Sequence, residues 1–510
     1  MVYYDLNLKF DIDNKAIKGY NDIHFKVLKE HQTMQIDLFK NMNVDKIEMQ
    51  GKELPYTRIY NAVIIDLTDA PTLSVGEVTS LRFYYSGKPI IARRPPWDGG
   101  FVYKKDANNN DWIGVACQGI GASLWWPNKD HQSEEPDSMR ITGTVPAHLM
   151  FVSNGNLVNT TNENDEFTTY SWLVTYPINN YTVSINIGDY KHFGEQYISN
   201  SRQDTLACDY YVLANNMDKA KKHFEQVKPM LSCYEQYMGP YPFWNDGFAL
   251  IETPYLGMEH QSGIAYGNDY LTGYAGSDYS GIGLDFDYII IHEAGHEWWG
   301  NNITTADIAD MWVHEGFCTY AEALYVECMY DYEKAMDYVN AKKNWVANEA
   351  PIIGQYGVNK EGSGDMYRKG MLILNTLRHI IGDDEVWFDI VLGLNTDFRH
   401  SIVTHDEVVN YINQKTGKNF VPFFDQYMRH ANLPVLEYSL QKKGRKLLVK
   451  YRWDADVKDF SMPVQFTDKK GKFHTLNAGS TWQTSTYKKV KPKDFKLAER
   501  MYYFKAKEIE

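Results

Sequence analysis

Cysteine is scarce in this chain. Its 510 residues include five widely spaced cysteines, and they form no Cys-x-x-Cys pair: Cys117, Cys208, Cys233, Cys318 and Cys328. Such a sparse, odd set is not the framework of a disulfide-stapled fold. It is more typical of a reducing compartment, and export through a signal absent from this sequence stays open. We therefore predict no compartment.

Long apolar runs and a positive charge balance are also missing. No stretch approaches the roughly 18 apolar residues that a membrane-spanning helix requires, so we expect no transmembrane segment. The formal net charge is −14 and no long basic run occurs. Both observations argue against a nucleic-acid partner or an anionic-membrane surface. They leave the oligomeric state open.

The chain does have length and apolar material. A chain of 510 residues is too long for a single compact core, and this length suggests roughly three domains. Apolar residues make up 44% and aromatic residues 15% of the chain, which is enough to build a large core and excludes disorder.

The first part of the chain is typical of β-strands. In DLNLKFDID the apolar residues Leu6, Leu8, Phe10 and Ile12 alternate with polar ones, which is the period of a half-buried strand. Similar stretches such as SLRFYY and YTVSINIG follow, separated by turn residues. We predict an antiparallel β domain over residues 1–210.

Helical patterns then dominate residues 211–435. Apolar residues recur at helical spacing before Gly239, and Pro229 predicts a kink in that helix. The tail from Leu436 returns to strand patterns such as KLLVKYRW and MPVQFTD. The sequence thus predicts a multi-domain α+β protein with an α-rich middle domain and a small C-terminal β domain over residues 436–510.

The stretch HEAGHEWWGNN, residues 292–302, is the first candidate for chemistry. As a helix it places His292 and His296 one turn apart on one face, within reach of a single ion. Zinc suits neutral imidazole ligands, and a catalytic zinc site combines three protein ligands with water. Glu293 lies about 100° round the helix, which suits a general base acting on water activated by the metal.

A second helix, ADIADMWVHEGFCTYAEALYVE, would supply the third ligand. Glu315 and Glu322 fall on its otherwise apolar face, where unpartnered carboxylates are costly to bury. A metal ion accounts for Glu315, Glu322 would orient a ligand histidine, and Gly316 would let the helices approach closely. An isolated HExxH sequence also occurs in ordinary helices that bind no metal. The downstream glutamate favours the interpretation as a metal site.

These motifs together resemble the M1 family of zinc aminopeptidases, in which eighteen residues separate HExxH from a later glutamate, as between His296 and Glu315. LGMEH (256–260) is similar to the family's Gly-x-Met-Glu-Asn motif on an edge strand, and YRKG (367–370) to its Tyr-x-Lys-Gly motif. The stretch CQGIGASLWWPNKDH contains Gln118 and resembles the substrate-facing glutamine segment. The similarity runs along the whole chain and is most specific in 255–322.

The resemblance implies a thermolysin-like catalytic domain followed by a small β-sandwich, with one zinc ion per chain bound by His292, His296 and Glu315. It implies Glu293 as general base and Tyr367 as hydrogen-bond donor to the oxyanion. Glu259, helped by Gln118, would bind the free amine of a peptide substrate. The implied substrate-binding residues are Gln118, Gly257, Met258, Glu259 and His260.

Three departures from the family pattern have consequences. Leu256 replaces a glycine, and His260 replaces an asparagine with a group that titrates near neutrality. The chain also lacks the large C-terminal helical domain that most family members carry. We therefore expect a more open cleft and loose discrimination between short and long peptides.

Two other functions stay open at this point. A thermolysin-type endopeptidase shares HExxH and the later glutamate, although an amine anchor would hinder cleavage of internal bonds. A non-catalytic, metal-free relative could use the same cleft to hold peptides, although the complete ligand set argues against it. The preferred substrate residue and the physiological substrate are not predictable from these motifs.

Overall fold

The structure is a computed structural model that describes residues 1–71, 73–278, 280–281, 283 and 285–509. These residues form two compact units. The first unit comprises the described residues of 1–235, 240–278 and 284–304, and the second those of 236–239, 279–283 and 305–510. No helix among the described residues is long and apolar enough to cross a membrane.

The first unit begins with β structure, as predicted. Its strands up to residue 213 are β1 Tyr3–Asp11, β2 Ala16–Lys26, β3 Thr33–Asp37, β4 Met42–Met49, β5 Lys52–Glu53, β6 Tyr56–Ile59, β7 Ala62–Asp66, β8 Val78–Gly87, β9 Gly100–Lys105, β10 Asp111–Ala116, β11 Ser138–Pro146, β12 Met150–Val152, β13 Asn156–Asn162, β14 Phe167–Val174, β15 Asn186–Gly188, β16 Tyr190–Ile198 and β17 Thr205–Leu213. The largest sheet has the order β13-β14-β11-β1-β2-β8-β4-β5. Leu6, Leu8 and Phe10 of β1 are buried in the core beneath it, so the alternation predicted the buried face correctly.

One strand pair departs from the predicted antiparallel arrangement. β1 pairs with β2 antiparallel but with β11 parallel. A parallel neighbour requires a long crossover connection, and more than one hundred residues separate β1 from β11. Sequence alternation indicates which face of a strand is buried and carries no information on strand direction.

A five-stranded sheet then leads into the helices of the first unit. Its order is β16-β17-β18-β20-β19, and the new elements up to residue 295 are α1 Met217–His223, α2 Val227–Met238, β18 Phe248–Glu252, β19 Gly257–Met258, β20 Ile264–Tyr266 and α3 Tyr288–Gly295. A 3-10 turn at Phe224–Gln226 separates α1 from α2 just before Pro229. Since a proline ring clashes with the carbonyl four residues earlier, the predicted kink is confirmed.

The chain continues through helices and ends in strands. The remaining elements are β21 Ile303–Thr305, α4 Trp312–Met329, α5 Tyr332–Ala341, α6 Arg368–Ile381, α7 Asp384–Asp397, β22 Ser401–Val403, α8 His405–Thr416, α9 Val421–Arg429, β23 Val435–Lys443, β24 Lys446–Asp454, β25 Ser461–Thr467, β26 Phe473–Gly479, β27 Gln483–Lys488, β28 Lys496–Leu497 and β29 Lys505–Glu508. The last strands form two sheets, β27-β24-β23-β29 and β26-β25-β28. Phe466 of one sheet contacts Tyr487 of the other, as in the predicted small β-sandwich. The order of β-rich, α-rich and β-rich parts agrees with the predicted fold class.

Two glycines allow helices α4 and α6 to pack closely. A Cβ atom added at Gly370 would lie 2.7 Å from the Cα atom of Gly316, and one added at Gly316 would lie 3.2 Å from the Cα atom of Gly370. Both added Cβ atoms would clash with backbone atoms, which cannot move aside as a side chain can. The close neighbour of Gly316 in this unit is thus α6, a partner that the sequence analysis did not predict.

Gly370→Ala should therefore destabilise the protein. Alanine is a better helix former than glycine by about 1 kcal/mol, but the backbone clash should outweigh this gain and cost about 1–3 kcal/mol. Thermal and urea unfolding measure the effect. The matched control is Gly364→Ala, because a Cβ atom there meets nothing within 4 Å. If Gly370→Ala unfolded at or above the temperature of the parent protein, the helix contact would not be tight.

Candidate active site

Helix α3 of the first unit contains the candidate ligand His292, and its C-cap residue is the second candidate, His296. The helix begins after Asp287, whose carboxylate accepts hydrogen bonds from the N–H groups of Ile289 at 2.9 Å and Ile290 at 3.4 Å. The same buried carboxylate contacts a ring nitrogen of His223 at 2.7 Å and accepts a bond from the hydroxyl of Tyr266 at 2.8 Å. The side-chain amide of Asn268 also donates to this carboxylate at 2.9 Å, so five partners fix the residue from which α3 starts.

The two imidazoles converge as ligands of one ion would. The Nε2 atoms of His292 and His296 lie 3.3 Å apart. Two nitrogens about 2.0 Å from one tetrahedral zinc ion would be separated by about 3.3 Å. Nδ1 of His296 lies 2.9 Å from the carbonyl oxygen of Trp299, so this nitrogen carries the proton and Nε2 keeps a lone pair for a metal. The histidine pair therefore fits zinc.

Two carboxylates approach the histidine pair. One ligand atom each of Glu259, Glu293 and His296 lies within 4.8 Å of the other two, and all three residues are buried. An oxygen of Glu259 also accepts hydrogen bonds from the amide of Gln118 at 2.6 Å and the hydroxyl of Tyr181 at 3.1 Å. Like charges this close in a buried site are stabilised by a nearby cation or by protonation of one carboxyl group.

The motif segment that carries Glu259 forms an edge strand. β19, Gly257–Met258, is the last strand of the five-stranded sheet and pairs antiparallel with β20. A Cβ atom added at Gly257 would lie 2.9 Å from Oε1 of Glu293 and 2.7 Å from Cγ2 of Ile289. The absence of a side chain at Gly257 therefore lets α3 lie directly against the strand.

Residues that follow His296 tie α3 to the motif segment. The chain breaks its helical conformation at Gly300, where φ is +126°, a value that glycine adopts readily. The amide of Asn301 then donates to the carbonyl oxygen of Glu259 at 3.0 Å, and Glu297 accepts from the N–H group of Ser262 at 2.9 Å. Burial raises the pKa of Glu297 to about 8. These bonds hold the motif backbone next to the helix.

The pKa of His260 differs from the value expected for a histidine side chain. It is fully buried, and burial lowers its pKa to about 3. Neither ring nitrogen has a hydrogen-bond partner among the described residues. The expectation that His260 titrates near neutrality is therefore wrong, because burial in an environment without a nearby acceptor disfavours the charged imidazolium.

The remaining predicted site residues lie in the second unit. Glu315 is buried in the first turn of α4, and Glu322, two turns further, is buried and accepts a hydrogen bond from Tyr338. Tyr367 is half-buried immediately before α6, and its carbonyl oxygen accepts from the N–H group of Met371 at 3.0 Å. The assignments of Glu315 as metal ligand, Tyr367 as oxyanion donor and Glu322 as orienting residue remain predictions.

Three contributors to the site were not predicted from the sequence. Tyr181 is one of 38 tyrosines and lies in a short turn capped by Asn179, so its sequence offers no signal. Trp299 contributes only its carbonyl oxygen, which depends on the helix break. Asp287 could have been found, since an aspartate directly before an apolar helical run is a typical N-cap.

Fold and site together have the arrangement that is typical of the HExxH class of metallopeptidases. Helix α3 and its C-cap residue present two histidines and a glutamate near the edge strand β19, and the carboxylate of Glu259, which directly follows that strand, lies next to them. A comparison with known families agrees: residues 222–427 match the peptidase family M1 domain. The family that this match identifies is the one that the motifs resemble.

Individual relatives are distant. The chain is 24% identical over 282 residues to endoplasmic reticulum aminopeptidase 1 of Mus musculus, a match covering 53% of this chain and 28% of the relative. It is 20% identical to leucyl aminopeptidase of Saccharolobus solfataricus, covering 86% of this chain and 54% of the relative. The chain thus spans about half or less of the length of these relatives.

A solved structure shares the fold. The M1 zinc metallopeptidase of Deinococcus radiodurans superposes with a TM-score of 0.70 at 18% sequence identity. The superposition covers 85% of this chain and 94% of that one. At this identity the likeness establishes the fold class: a β-rich N-terminal part, an α-rich middle and a C-terminal β-sandwich.

Gly257→Ala should lower activity more than stability. The new methyl group would press on Cγ2 of Ile289 and displace the carboxylate of Glu293. Since both are side-chain atoms, the structural cost should lie at the lower end of the about 1–3 kcal/mol typical of overpacking. A displacement of about 1 Å at a catalytic group can cost about 100-fold in rate. Peptidase rate and unfolding temperature should be measured together. Gly263→Ala, where the nearest contact is 3.3 Å, is the control; equal losses in both variants would contradict the role of the Gly257–Glu293 contact.

The buried imidazole of His260 should make folding stability sensitive to acid. Its folded pKa of about 3 lies below the unfolded value of about 6.5, so the unfolded chain binds an extra proton between these values. This contribution therefore destabilises the fold as pH falls below about 6.5, by up to about 1.4 kcal/mol per pH unit. His260→Asn removes it. Unfolding at pH 7 and pH 5 should show a smaller loss for the variant; equal losses would contradict the shifted pKa.

Proposed function

We propose that this protein is a zinc-dependent aminopeptidase that removes single residues from the N-terminus of peptides. The observation that carries the proposal is the cluster of Glu259, Glu293 and His296, whose ligand atoms lie within 4.8 Å of one another. A carboxylate at this place, which belongs to a strand and not to the histidine helix, suits the ammonium group of a substrate bound beside the metal.

His292, His296 and Glu315 would hold the zinc ion, one per chain. Zinc supplies Lewis acidity, which lowers the pKa of water and polarises a carbonyl oxygen. The 3.3 Å separation of the two Nε2 atoms supports the histidine part of this set. The resemblance to the M1 family and the burial of Glu315 support its assignment as the third ligand. Glu322 would accept a hydrogen bond from a ligand histidine and so orient its ring.

Glu293 acts as the general base. Its carboxylate takes a proton from the attacking water and later delivers it to the departing amine nitrogen. Gly257 leaves room for this carboxylate, since a Cβ atom at that position would lie 2.9 Å from Oε1 of Glu293. Tyr367 donates its phenolic hydrogen bond to the oxyanion that forms when the scissile carbonyl is attacked, a contribution worth about 10²–10³ in rate for similar donors.

The amine anchor sets the position of the scissile bond. Glu259 accepts two hydrogen bonds from the N-terminal ammonium, while Gln118 and Tyr181 fix the orientation of its carboxylate. Gly257 and Met258 of the edge strand β19 bind the substrate main chain as an added strand, and His260 shapes the buried side of this segment. Because the ammonium must reach Glu259, a bond further along the peptide cannot reach Glu293.

A free amine should therefore be required for cleavage. The protein should hydrolyse a free-amine peptide at least 100-fold faster than its N-acetylated twin, because acetylation removes the charge that Glu259 binds. Glu293→Gln should lower kcat by about 10³-fold or more while one zinc ion per chain is retained by elemental analysis. Cleavage of the acetylated peptide at internal bonds would instead identify an endopeptidase. A zinc-free protein that binds peptides without cleaving them would identify a binding protein.

A further inference from the structure

The C-terminal β-sandwich differs in charge from the rest of the chain. Residues 436–510 contain 18 of the 52 lysine and arginine residues but only 9 of the 66 aspartate and glutamate residues. Their formal charge is therefore +9, whereas residues 1–435 carry −23. The net charge of −14 averages over this difference, so the argument against an anionic partner that uses the whole chain does not apply to the sandwich.

Most of these cations belong to three segments of the sandwich, which together are called the lysine end. The segments are residues 442–446 at the β23–β24 turn, 468–472 at the β25–β26 turn and 488–496 between β27 and β28. They contain eleven lysines and one arginine but only two aspartates. Each of these lysine and arginine side chains is exposed, so the lysine end presents a high density of positive charge to solvent.

Three lysines of the first sheet form a row across its strands. Lys443 of β23 lies opposite Lys446 of β24, and Lys446 lies opposite Lys488 of β27. The N–H group of Lys489 donates to the carbonyl oxygen of Arg445 at 3.0 Å, which holds the next residues together as well. Among the described residues, no lysine of this row forms an ion pair with a carboxylate. Like charges directly opposite destabilise a sheet, so the row lowers stability unless an anion binds to it.

The second sheet brings further lysines together. Lys469 of the β25–β26 turn and Lys493 and Lys496 of the segment 488–496 line one open cleft, together with Asp468 and Asp494. The two aspartates offset part of the charge of this cleft. The carboxylate of Asp468 also accepts hydrogen bonds from two backbone N–H groups of its own turn, so it serves to shape the turn that carries the lysines.

Contacts between the two sheets place the row and the cleft at the same end of the sandwich. The rings of Phe466 and Tyr487 lie 4.8 Å apart, and the hydroxyl of Tyr487 donates to the carbonyl oxygen of Thr475 at 2.8 Å. Tyr487 directly precedes Lys488 of the row, and Phe466 lies two residues before the turn segment 468–472. Since packed sheets are about 10 Å apart, the three segments form one continuous basic surface.

The composition of this surface indicates which kind of anion it suits. Arginine is the preferred residue for bidentate recognition of phosphates and base edges in nucleic acids, and the lysine end has one arginine among its twelve cations. Lysine suits diffuse attraction to a surface that carries many anions. Phe473, which directly follows Lys472, is 50% exposed. An anionic lipid bilayer offers both negative charge and an apolar layer for such a ring.

We propose that the lysine end binds the surface of membranes that contain anionic phospholipids, with Phe473 inserted between the lipid headgroups. Clusters of about 4–8 lysine and arginine residues are typical of proteins that bind such surfaces, and the lysine end has twelve. The binding is peripheral and is attached to a part of the chain remote in sequence from the HExxH motif. It does not depend on the reaction proposed for the active site.

The test measures co-sedimentation of the full chain with lipid vesicles. The protein should bind vesicles of phosphatidylcholine mixed with phosphatidylglycerol at least about tenfold more tightly than vesicles of phosphatidylcholine alone. Salt at about 1 M should abolish this difference, because the Debye length falls to about 3 Å. Replacing Lys443, Lys446 and Lys488 together by glutamine should weaken binding to the mixed vesicles about 100-fold, since each lysine near an anionic bilayer contributes about fivefold. Phe473→Ala should weaken it about tenfold through lost apolar burial.

The matched control replaces Lys26, Lys29 and Lys40 by glutamine. These lysines are exposed in the N-terminal β region, so the control removes the same charge and should leave vesicle binding unchanged. Thermal unfolding of the variant without the lysine row should occur at or above the temperature of the parent protein, because repulsion across the strands is relieved. A loss of binding in that variant then reports on the surface and not on misfolding.

Two other partners give different results in the same assays. Tighter binding to a DNA oligonucleotide than to the mixed vesicles at equal salt would overturn the proposal in favour of a nucleic acid. Self-association at low salt without vesicles, lost when the lysine row is removed, together with no vesicle binding, would overturn it in favour of a second copy of this chain. Equal losses of vesicle binding in the row variant and the control would show that the lysine end is not the binding surface.

Discussion

The burial of negative charge beside an imidazole is the constraint on which this site depends. Glu259 and Glu293 bring two carboxylates within 4.8 Å of each other and of His296. Such a group of charges is stabilised in a buried site by accompanying cations or by protonation of a carboxyl group. In the proposed function two cations would be available, the metal ion and the substrate's ammonium, and each would be associated with a different carboxylate. The arrangement would then separate the chemistry of Glu293 from the recognition by Glu259.

Keeping these charges in place requires rigid supports on every side. The start of α3 is fixed by the carboxylate of Asp287, and its end is tied to the motif segment through Asn301. The absence of a side chain at Gly257 lets strand and helix lie close together, with Ile289 and Glu293 next to that position. The supports come from elements far apart in the sequence, which explains why the site belongs to a folded unit and not to the HExxH helix alone.

Much of the fold and the centre of the site could be predicted from local patterns. Alternation identified the buried face of β1, proline chemistry located the break before Pro229, and the four-residue spacing of His292 and His296 placed both rings on one face. Properties that depend on tertiary surroundings could not be predicted. The parallel pairing of β1, the partner of Gly316 and the lowered pKa of His260 all arise from residues distant in sequence.

The N-terminal β region thus supplies more than a support for the catalytic domain. Gln118 and Tyr181 both belong to it, and both donate to the carboxylate of Glu259. The HExxH segment by itself would offer metal ligands and a base but no group that selects chain ends. In the proposed function, the preference for a free amine would arise because the β region orients a carboxylate that the helix does not carry. Exopeptidase character would therefore depend on the hydrogen bonds that Gln118 and Tyr181 donate to Glu259.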